Sequence, residues 1–360
     1  MRYVFILGRN ILLSTEEVYS YLKRNRINKL ESEINKNGLF IKTDKEIPKN
    51  AIASLGGVIG IGKVINDIES SELFFGKDNK LNYILWNFSS PEVYEEYSDY
   101  LKVRFKKEKL KATEKKLSGK MNMQSGKKYG IASSKLIHEQ YFIFDRMFGR
   151  VIQECDYKKI EERDMKKPVR RQELSISPRL SKIMINLSEI NPDKSSKLLD
   201  SFCGIGVILT EALLQDLDVI GIDIDDKAIE GAKKNLKWMG FDRKKYKLMN
   251  QDSKKAYIQD VDVMVSEPDL GKILKKIPQE DNAKRTLKKF EKLMIAVINN
   301  IKKKVKGNIV FTAPLIKTHK ARLSCNIDNI CDKTSKNLIK GGFQDFRKGQ
   351  IVGREIFVLA

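Results

Sequence analysis

Histidine and cysteine are scarce in this chain. Two histidines, His138 and His319, and four cysteines, at 155, 203, 325 and 331, are all that 360 residues contain. None of the cysteines forms a Cys-x-x-Cys pair, and two histidines add little to a ligand set. This argues against a zinc site and a disulfide framework, and no metal is expected. Isolated thiols point to a reducing compartment, the cytoplasm. No apolar run approaches the ~18 residues that a membrane span requires. The opening Met1-Arg2-Tyr3-Val4-Phe5-Ile6-Leu7-Gly8 has too short an apolar stretch for a secretory signal and no small-residue cleavage site. It reads as a strand. No internal repeat is evident, and the length suggests two or three domains.

Acids are outnumbered. Lys and Arg total 69 against 47 Asp and Glu, a formal charge of +22. Part of this excess accompanies a Lys-, Ile- and Asn-rich composition throughout, but the rest is clustered. Lys102 to Lys128 holds eleven cations against Glu108 and Glu114, and a second cluster includes Arg163, Lys166, Lys167, Arg170, Arg171, Arg179 and Lys182. Clustered cations suit a phosphate backbone, whose binding is driven largely by counterion release. A solvated helix face is the plain alternative. The candidate nucleic-acid contacts are Lys106, Lys107, Lys109, Lys127, Lys128, Arg163, Arg170 and Arg171.

The most informative stretch is Leu198-Leu199-Asp200-Ser201-Phe202-Cys203-Gly204-Ile205-Gly206, an apolar run ending in a carboxylate and turning through two glycines into an amphipathic helix. A second apolar run, Val219-Ile220-Gly221-Ile222-Asp223, follows at the spacing of a nucleoside-binding βαβ unit. Glycine lets backbone approach a ligand closely. Asp223 can take both ribose hydroxyls, and Asp252, after a third candidate strand, can reach an adenine amino group. A dinucleotide fingerprint would need glycine at 209, where Leu209 stands, and no Gly-Lys-Ser/Thr follows to make a P-loop. A loop that begins with a carboxylate disfavours pyrophosphate and suits an ammonium group, which S-adenosylmethionine carries. An ordinary parallel α/β domain with turn glycines and solvated acids is the bland reading. The candidate cofactor residues are Ser177, Asp200, Phe202, Cys203, Gly204, Gly206, Asp223, Ile224, Asp252 and Ser253.

Asp200-Ser201-Phe202-Cys203-Gly204-Ile205-Gly206, then Gly221-Ile222-Asp223-Ile224-Asp225, then Glu230-Gly231-Ala232-Lys233-Lys234-Asn235-Leu236 resembles the THUMP-associated RNA methyltransferases that modify guanine N2 in tRNA. The segment Ser175 to Leu187 and the tail Gln350 to Leu359 fit the same resemblance, which covers roughly residues 163–275 and the last strand. It implies S-adenosylmethionine as cofactor and tRNA as partner. It further implies a class I methyltransferase domain: an α/β, doubly wound, seven-stranded sheet, preceded by an α+β region of ferredoxin-like and THUMP-like parts. In that family the fourth strand ends in Asp-Pro-Pro-Tyr-Gly or a variant. The acid or amide and a backbone carbonyl aim an exocyclic nitrogen at the methyl carbon, and an aromatic ring stacks on the base. Here Val261 to Val265 runs into Ser266-Glu267-Pro268-Asp269-Leu270-Gly271. Glu267 takes the place of the acid, Pro268 of the first proline and Gly271 of the glycine, while Asp269 and Leu270 depart. The candidate catalytic residues are Glu267, Pro268 and Asp269. Stacking falls to Tyr257 or Phe343, or is absent, and a nucleophilic Cys203 is not favoured.

The expected organisation is a ferredoxin-like domain over 1–75, a THUMP-like domain over 76–155, a linker over 156–175 and the methyltransferase domain over 176–360. Expected elements include a strand at 2–7, a helix near 15–24 with a Ser14/Glu17 capping box, and a charged helix at about 91–110. A hairpin spans 140–152, turning near Phe148-Gly149. Ser177 and Pro178 start a helix as N-cap and N1. A helix spans about 281–303, a fifth strand covers Ile309 to Phe311 and ends at Thr312-Ala313-Pro314, and a closing hairpin joins Phe343–Arg347 to Gln350–Leu359. The leading reading is methyl transfer to an exocyclic base nitrogen of RNA, with guanine N2 supplied by the resemblance alone. The loop logic equally serves adenine N6 or cytosine N4 of DNA. A third reading is a catalytically weak RNA-binding protein or partner subunit.

Overall fold

Alternating buried positions explain the first half of the chain. In the strand Lys80–Phe88, Tyr83 and Leu85 face the helix Pro91–Lys107 together with its Leu101 and Phe105, while Ile84, Trp86 and Phe88 face the other side with Val4, Ile6, Phe142 and Phe144. The sheet is thus buried on both faces at its middle. The structure is a computed structural model. It describes all residues except 78, 118, 124–127, 132–135, 172–175, 193–194 and 272–273, and only the backbone of 119, 120, 122, 130 and 131.

In chain order the elements are β1 (Arg2–Leu7), α1 (Ile11–Arg24), β2 (Lys29–Asn35), β3 (Gly38–Thr43), α2 (Ala51–Ser54), β4 (Val58–Val64), β5 (Lys80–Phe88), α3 (Pro91–Lys107), β6 (Lys111–Glu114), β7 (Gly119–Asn122), β8 (Lys128–Ile131), β9 (Glu139–Phe144) and β10 (Met147–Glu154). There follow α4 (Tyr157–Lys166), α5 (Pro178–Leu187), β11 (Lys197–Asp200), α6 (Val207–Leu213), β12 (Asp218–Asp223), α7 (Asp226–Trp238), β13 (Tyr246–Asn250) and β14 (Val263–Ser266). The last are α8 (Glu280–Ile301), β15 (Ile309–Lys317), β16 (Arg322–Leu323), α9 (Ile327–Thr334), β17 (Leu338–Asp345) and β18 (Val352–Leu359). Two units form. One comprises Met1–Thr15, Arg26–Ala53 and Gly57–Cys155; the other comprises Glu16–Asn25, Ser54–Gly56 and Asp156–Ala360.

Strands of residues 1–75 and 76–155 join in one eight-stranded sheet, β2-β3-β1-β4-β10-β9-β5-β6, while β7 and β8 pair with each other. Two local expectations are corrected here. Helix α1 starts at Ile11, where the Asn10 Oδ1 accepts from the Leu13 N–H at 3.2 Å; Ser14 lies inside the helix, so no capping box forms. The β9–β10 hairpin turns at Asp145-Arg146, not at Phe148-Gly149, with Asp145 in the left-handed region at φ 49°. Asp tolerates that conformation better than a bulkier residue would. Within 156–175, Asp156 caps α4 by accepting from the Lys159 N–H at 2.9 Å.

The second unit is built on a seven-stranded sheet of order β13-β12-β11-β14-β15-β18-β17. β11 to β15 run parallel and β18 is antiparallel to both its neighbours. The core is laid down by near-continuous apolar strands packed on Phe290, Met294, Val297 and Ile298 of α8. Helix α5 begins as the sequence predicts, with the Ser177 Oγ accepting from the Leu180 N–H and Pro178 in the first turn. β15 runs on through Pro314 to Lys317, past the expected end. β14 pairs only with Ile309 to Phe311, so one side of the strand is unpaired at Pro314 and a missing N–H is tolerated there. β12 lies on one side of β11 and β14 on the other. The chain leaves β11 for β12 on one side and returns from β13 to β14 on the other, and the crevice at this switch point opens at the carboxyl end of β11, beside Asp200. No helix among the described residues is long and apolar enough to cross a membrane.

Candidate active site

A cavity of about 710 Å³ occupies that crevice. It lies within the second unit and is walled by the loop after β11, the ends of β12 and β14, the turn after β13 and the start of β18. Of the candidate cofactor residues, Asp200, Phe202, Cys203, Gly204, Asp223, Ile224, Asp252 and Ser253 line it. Ser177 and Gly206 do not. Ser177 is exposed and serves as the α5 cap, though its neighbour Ile176 reaches the cavity. Gly206 stands at the N-cap of α6 with φ 84°, and Gly204 has φ 51°. A side chain at either position would be strained, so both glycines serve the turn itself.

The turn is fastened to the second strand through Asp223. Its Oδ2 accepts from the Gly204 N–H at 2.8 Å and its Oδ1 from the Asp225 N–H at 2.9 Å. Both bonds fix the carboxylate plane while leaving acceptor capacity toward the cavity. The Asp252 carboxylate accepts from the Lys254 N–H at 3.0 Å, which holds it below the usual carboxylate range. Ile224 is 72% exposed although it is apolar. At a cavity mouth such a side chain offers a face to a flat, apolar ligand.

Cations and anions in the wall are unevenly matched. Arg171 pairs with Asp225 at 2.5 Å, Lys254 with Asp252 at 3.3 Å, and Arg354 of β18 with Glu267. Among the described residues no Lys or Arg pairs with Asp200 or Asp223. Burial, together with the charges of Asp223 and Glu267, pushes the Asp200 carboxyl up to about 8, against the opposing hydrogen bonds from the Phe202 N–H and the Ser266 hydroxyl. Burial and the Asp200 and Asp223 charges also push the Cys203 thiol well up, so it stays protonated and is no nucleophile.

Between the unfolded value near 3.8 and the folded value near 8, the folded chain holds a proton on Asp200 that the unfolded chain releases. Stability therefore falls as pH rises through that window. Asp200→Asn cannot ionise, so the variant without ligand is expected to melt higher than the parent at pH 8, with the margin shrinking toward pH 4. Melting curves across that range check this; a margin independent of pH contradicts it.

The catalytic candidates also meet at the cavity. Glu267, Pro268 and Asp269 all line it, with Leu270 and Gly271. Glu267 is not a free acceptor. It is 10% exposed in its side chain and locked to Arg354, and a backbone N–H of Ile176 also reaches it. Burial raises its carboxyl and Arg354 opposes the rise. Asp269 is exposed and its Oδ1 accepts from the Gly271 N–H at 2.9 Å, closing the loop. The stacking candidates are corrected: Tyr257 is 82% exposed and Phe343 is buried, and neither lines the cavity. Phe202 is the aromatic among its described lining residues.

Three contributors were missed in the sequence. Arg354 was visible only as part of a strand. Lys254 carries no signal beyond its place after Asp252. Ser201 lines the cavity, and its buried hydroxyl has no partner among the described residues; its place in the Asp200 loop was the available hint. Of the expected nucleic-acid contacts, Lys106 and Lys107 end α3, Lys109 follows it at φ 59°, and Lys128 opens β8. Lys127 lies outside the described residues. In the second unit Arg163 is committed to the buried Glu211, Arg170 is half-buried, and Arg171 lines the cavity.

Residues 192–344 match the family described as a methyltransferase domain. Curated relatives include the tRNA (guanine(10)-N2)-dimethyltransferase of Methanothermobacter thermautotrophicus, 36% identical over 98 residues that make up 27% of this chain and 28% of that protein. The protein of the same name from Pyrococcus abyssi is 37% identical over 87 residues, 24% of each chain. The chain thus spans about a quarter of the length of these relatives. Among solved structures, TrmN from Thermus thermophilus aligns over 100% of this chain and 99% of its own, with a TM-score of 0.51 and 12% identity, a likeness of fold. Strand order, crevice and domain match agree: residues 192–344, which carry all the carboxylates lining the cavity, have the doubly wound class I methyltransferase fold.

Proposed function

We propose that the chain is an S-adenosylmethionine-dependent methyltransferase acting on the exocyclic N2 of guanine in tRNA, at the position 10 that the relatives' name carries. The observation that supports it most is the pair Asp200 and Asp223. These are two carboxylates with no cationic partner among the described residues, at the carboxyl ends of adjacent strands, in a cavity large enough for a nucleoside. A ligand with an ammonium group and vicinal hydroxyls meets that need. Asp200 faces the ammonium and gives up its proton on binding, Asp223 takes the ribose hydroxyls, Ile224 covers the adenine, and Asp252 accepts from its amino group. The cofactor supplies a methyl carbon made electrophilic by its sulfonium sulfur.

Glu267, whose burial-raised carboxyl Arg354 draws back toward the ionised form, and the carbonyl of Pro268 would accept hydrogen bonds from the guanine amino group and aim its lone pair at that carbon. In-line alignment of N2 with that carbon would be set by these two acceptors. N2 then loses one proton, which Glu267 takes up and passes to solvent. The first unit, α+β and basic, serves in this reading as the ferredoxin-like and THUMP-like part that grips tRNA. The free cysteines fit the cytoplasm.

Nucleoside mass spectrometry after incubation with methyl-labelled S-adenosylmethionine tests this. N2-methylguanosine or N2,N2-dimethylguanosine in bulk tRNA is expected. N6-methyladenine or N4-methylcytosine in genomic DNA would overturn the substrate. Leu270, standing where the resembling family has an aromatic, favours a second reading: a chain that holds cofactor and RNA but transfers slowly. Cofactor binding with no product in either pool would point there.

A further inference from the structure

A second concavity, of about 400 Å³, lies in the methyltransferase unit and is formed by two turns far apart in sequence. The first turn, 317–322, joins β15 to β16 and is closed by Thr318, whose hydroxyl accepts from the Lys320 and Ala321 N–H groups and donates to the Ala321 carbonyl. The second, 346–349, joins β17 to β18. It is closed by the Gln350 N–H donating to the Arg347 carbonyl at 3.0 Å, by the Arg347 N–H donating to Gln350 Oε1 at 2.9 Å, and by Gly349 at φ 85°.

Lys317, Lys320, Arg322, Arg347 and Lys348 line the concavity, and no Asp or Glu does. Among the described residues no carboxylate pairs with Lys317, Arg347 or Lys348, and the nearest approach to Lys320 is Glu280 at 4.0 Å. Arg322 has a different task. Its guanidinium lies 4.0 Å from the Phe346 ring centroid and donates to the Gln350 carbonyl at 2.6 Å. It therefore pins one turn to the other. Gln350 and Ile351, the residues that follow Gly349, line the catalytic cavity. An acid-free cluster of cations on two hydrogen-bonded turns thus borders the candidate catalytic cavity. Four solvent-reaching cations held together in one concavity repel one another unless an anion joins them.

We propose that these two turns bind the phosphate backbone of the RNA strand whose base enters the catalytic cavity, with Lys317, Lys320, Arg347 and Lys348 as the phosphate contacts. The inference rests on the reading of that cavity as a base-methylation site, and its test is binding, so that either can fail alone. Dissociation constants for bulk tRNA and for duplex DNA, measured against salt concentration, compare the parent with Lys320→Gln/Arg347→Gln/Lys348→Gln. A control removes three charges elsewhere: Lys289→Gln/Lys303→Gln/Lys306→Gln, the latter two before the amino end of β15.

For the first variant the tRNA Kd is expected to rise about tenfold or more near 0.15 M salt, and the slope of log affinity against log salt to fall by about 2. The control should move both far less, and Lys348→Glu alone should shift tRNA affinity in the same direction as the triple variant. Unchanged tRNA affinity and slope overturn the proposal, as does an equal loss in the control or a loss confined to DNA. Weakened tRNA binding in a chain that transfers no methyl group would sustain this surface and sink the catalytic reading.

Discussion

Replacing Arg354 with methionine is expected to cost the second unit about 3–5 kcal/mol, because it strands a buried carboxylate. Glu267 and Arg354 are 10% and 17% exposed in their side chains, and each is the other's counter-ion. Burial already raises the Glu267 carboxyl, and Arg354 is the largest influence that opposes it. Without the guanidinium that carboxyl rises further. Any methyl transfer that survives should therefore return as pH increases, since only the ionised form accepts both hydrogen bonds from the base and its proton. Chemical denaturation gives the first effect and a pH–rate profile the second. A variant as stable as the parent, or a profile that does not shift toward alkaline pH, counts against the pair.

The companion variant is Glu267→Leu/Arg354→Met. Exchanging a whole buried ion pair for apolar side chains of similar volume is often neutral or stabilising. The double variant should fold with most of the stability of the parent and still bind S-adenosylmethionine. It should transfer methyl groups about 10²–10³-fold more slowly, the usual loss on removing an electrostatic stabiliser of a transition state. Stability and catalysis then separate, which neither single variant achieves.

The second large effect belongs to Asp223. Asp223→Ala removes the acceptor for the Gly204 and Asp225 N–H groups together with the two hydrogen bonds expected to the ribose. Hydrogen bonds to charged groups contribute about 1.5–3 kcal/mol each, so a loss of about 3–6 kcal/mol in cofactor binding is expected, some 10²–10⁴-fold in Kd. Asp223→Asn retains one oxygen and should lose less. Titration calorimetry with S-adenosylmethionine or its demethylated product reads the difference. An alanine variant whose Kd stays within about threefold of the parent's would show that the cavity holds its ligand elsewhere.

The parts of this site legible in the sequence are those encoded locally. Asp200, Gly204, Gly206 and Asp223 sit within one βαβ unit, where strand ends and turn glycines follow at fixed spacing, and the parallel sheet places them together with no further information. The Ser177-Pro178 start of α5 was legible for the same reason. The Glu267–Arg354 pair was not. Its members are 87 residues apart and meet only because β18 returns antiparallel beside β15, which itself pairs with β14. The two basic turns depend on the same strand return, whereas a charge count drew attention to the longer lysine run at 102–128. Local patterns also misled where tertiary structure prevailed. Ser14 and Glu17 have capping-box spacing, but Asn10 starts the helix earlier, and the buried Glu17 carboxylate accepts from the Gly56 N–H instead. Pro314 looked like a strand end and is carried through by pairing with β18.

Glu267 and the carboxylate cavity are proposed to transfer a methyl group to guanine N2. The most direct measurement is single-turnover transfer from methyl-labelled S-adenosylmethionine to tRNA by the parent and by Glu267→Leu/Arg354→Met, each shown to be folded and saturated with cofactor. The account predicts labelled N2-methylguanosine from the parent and a rate about 10²–10³-fold lower from the variant. Equal rates from the two proteins, or label from the parent found on any other nucleoside, would contradict it.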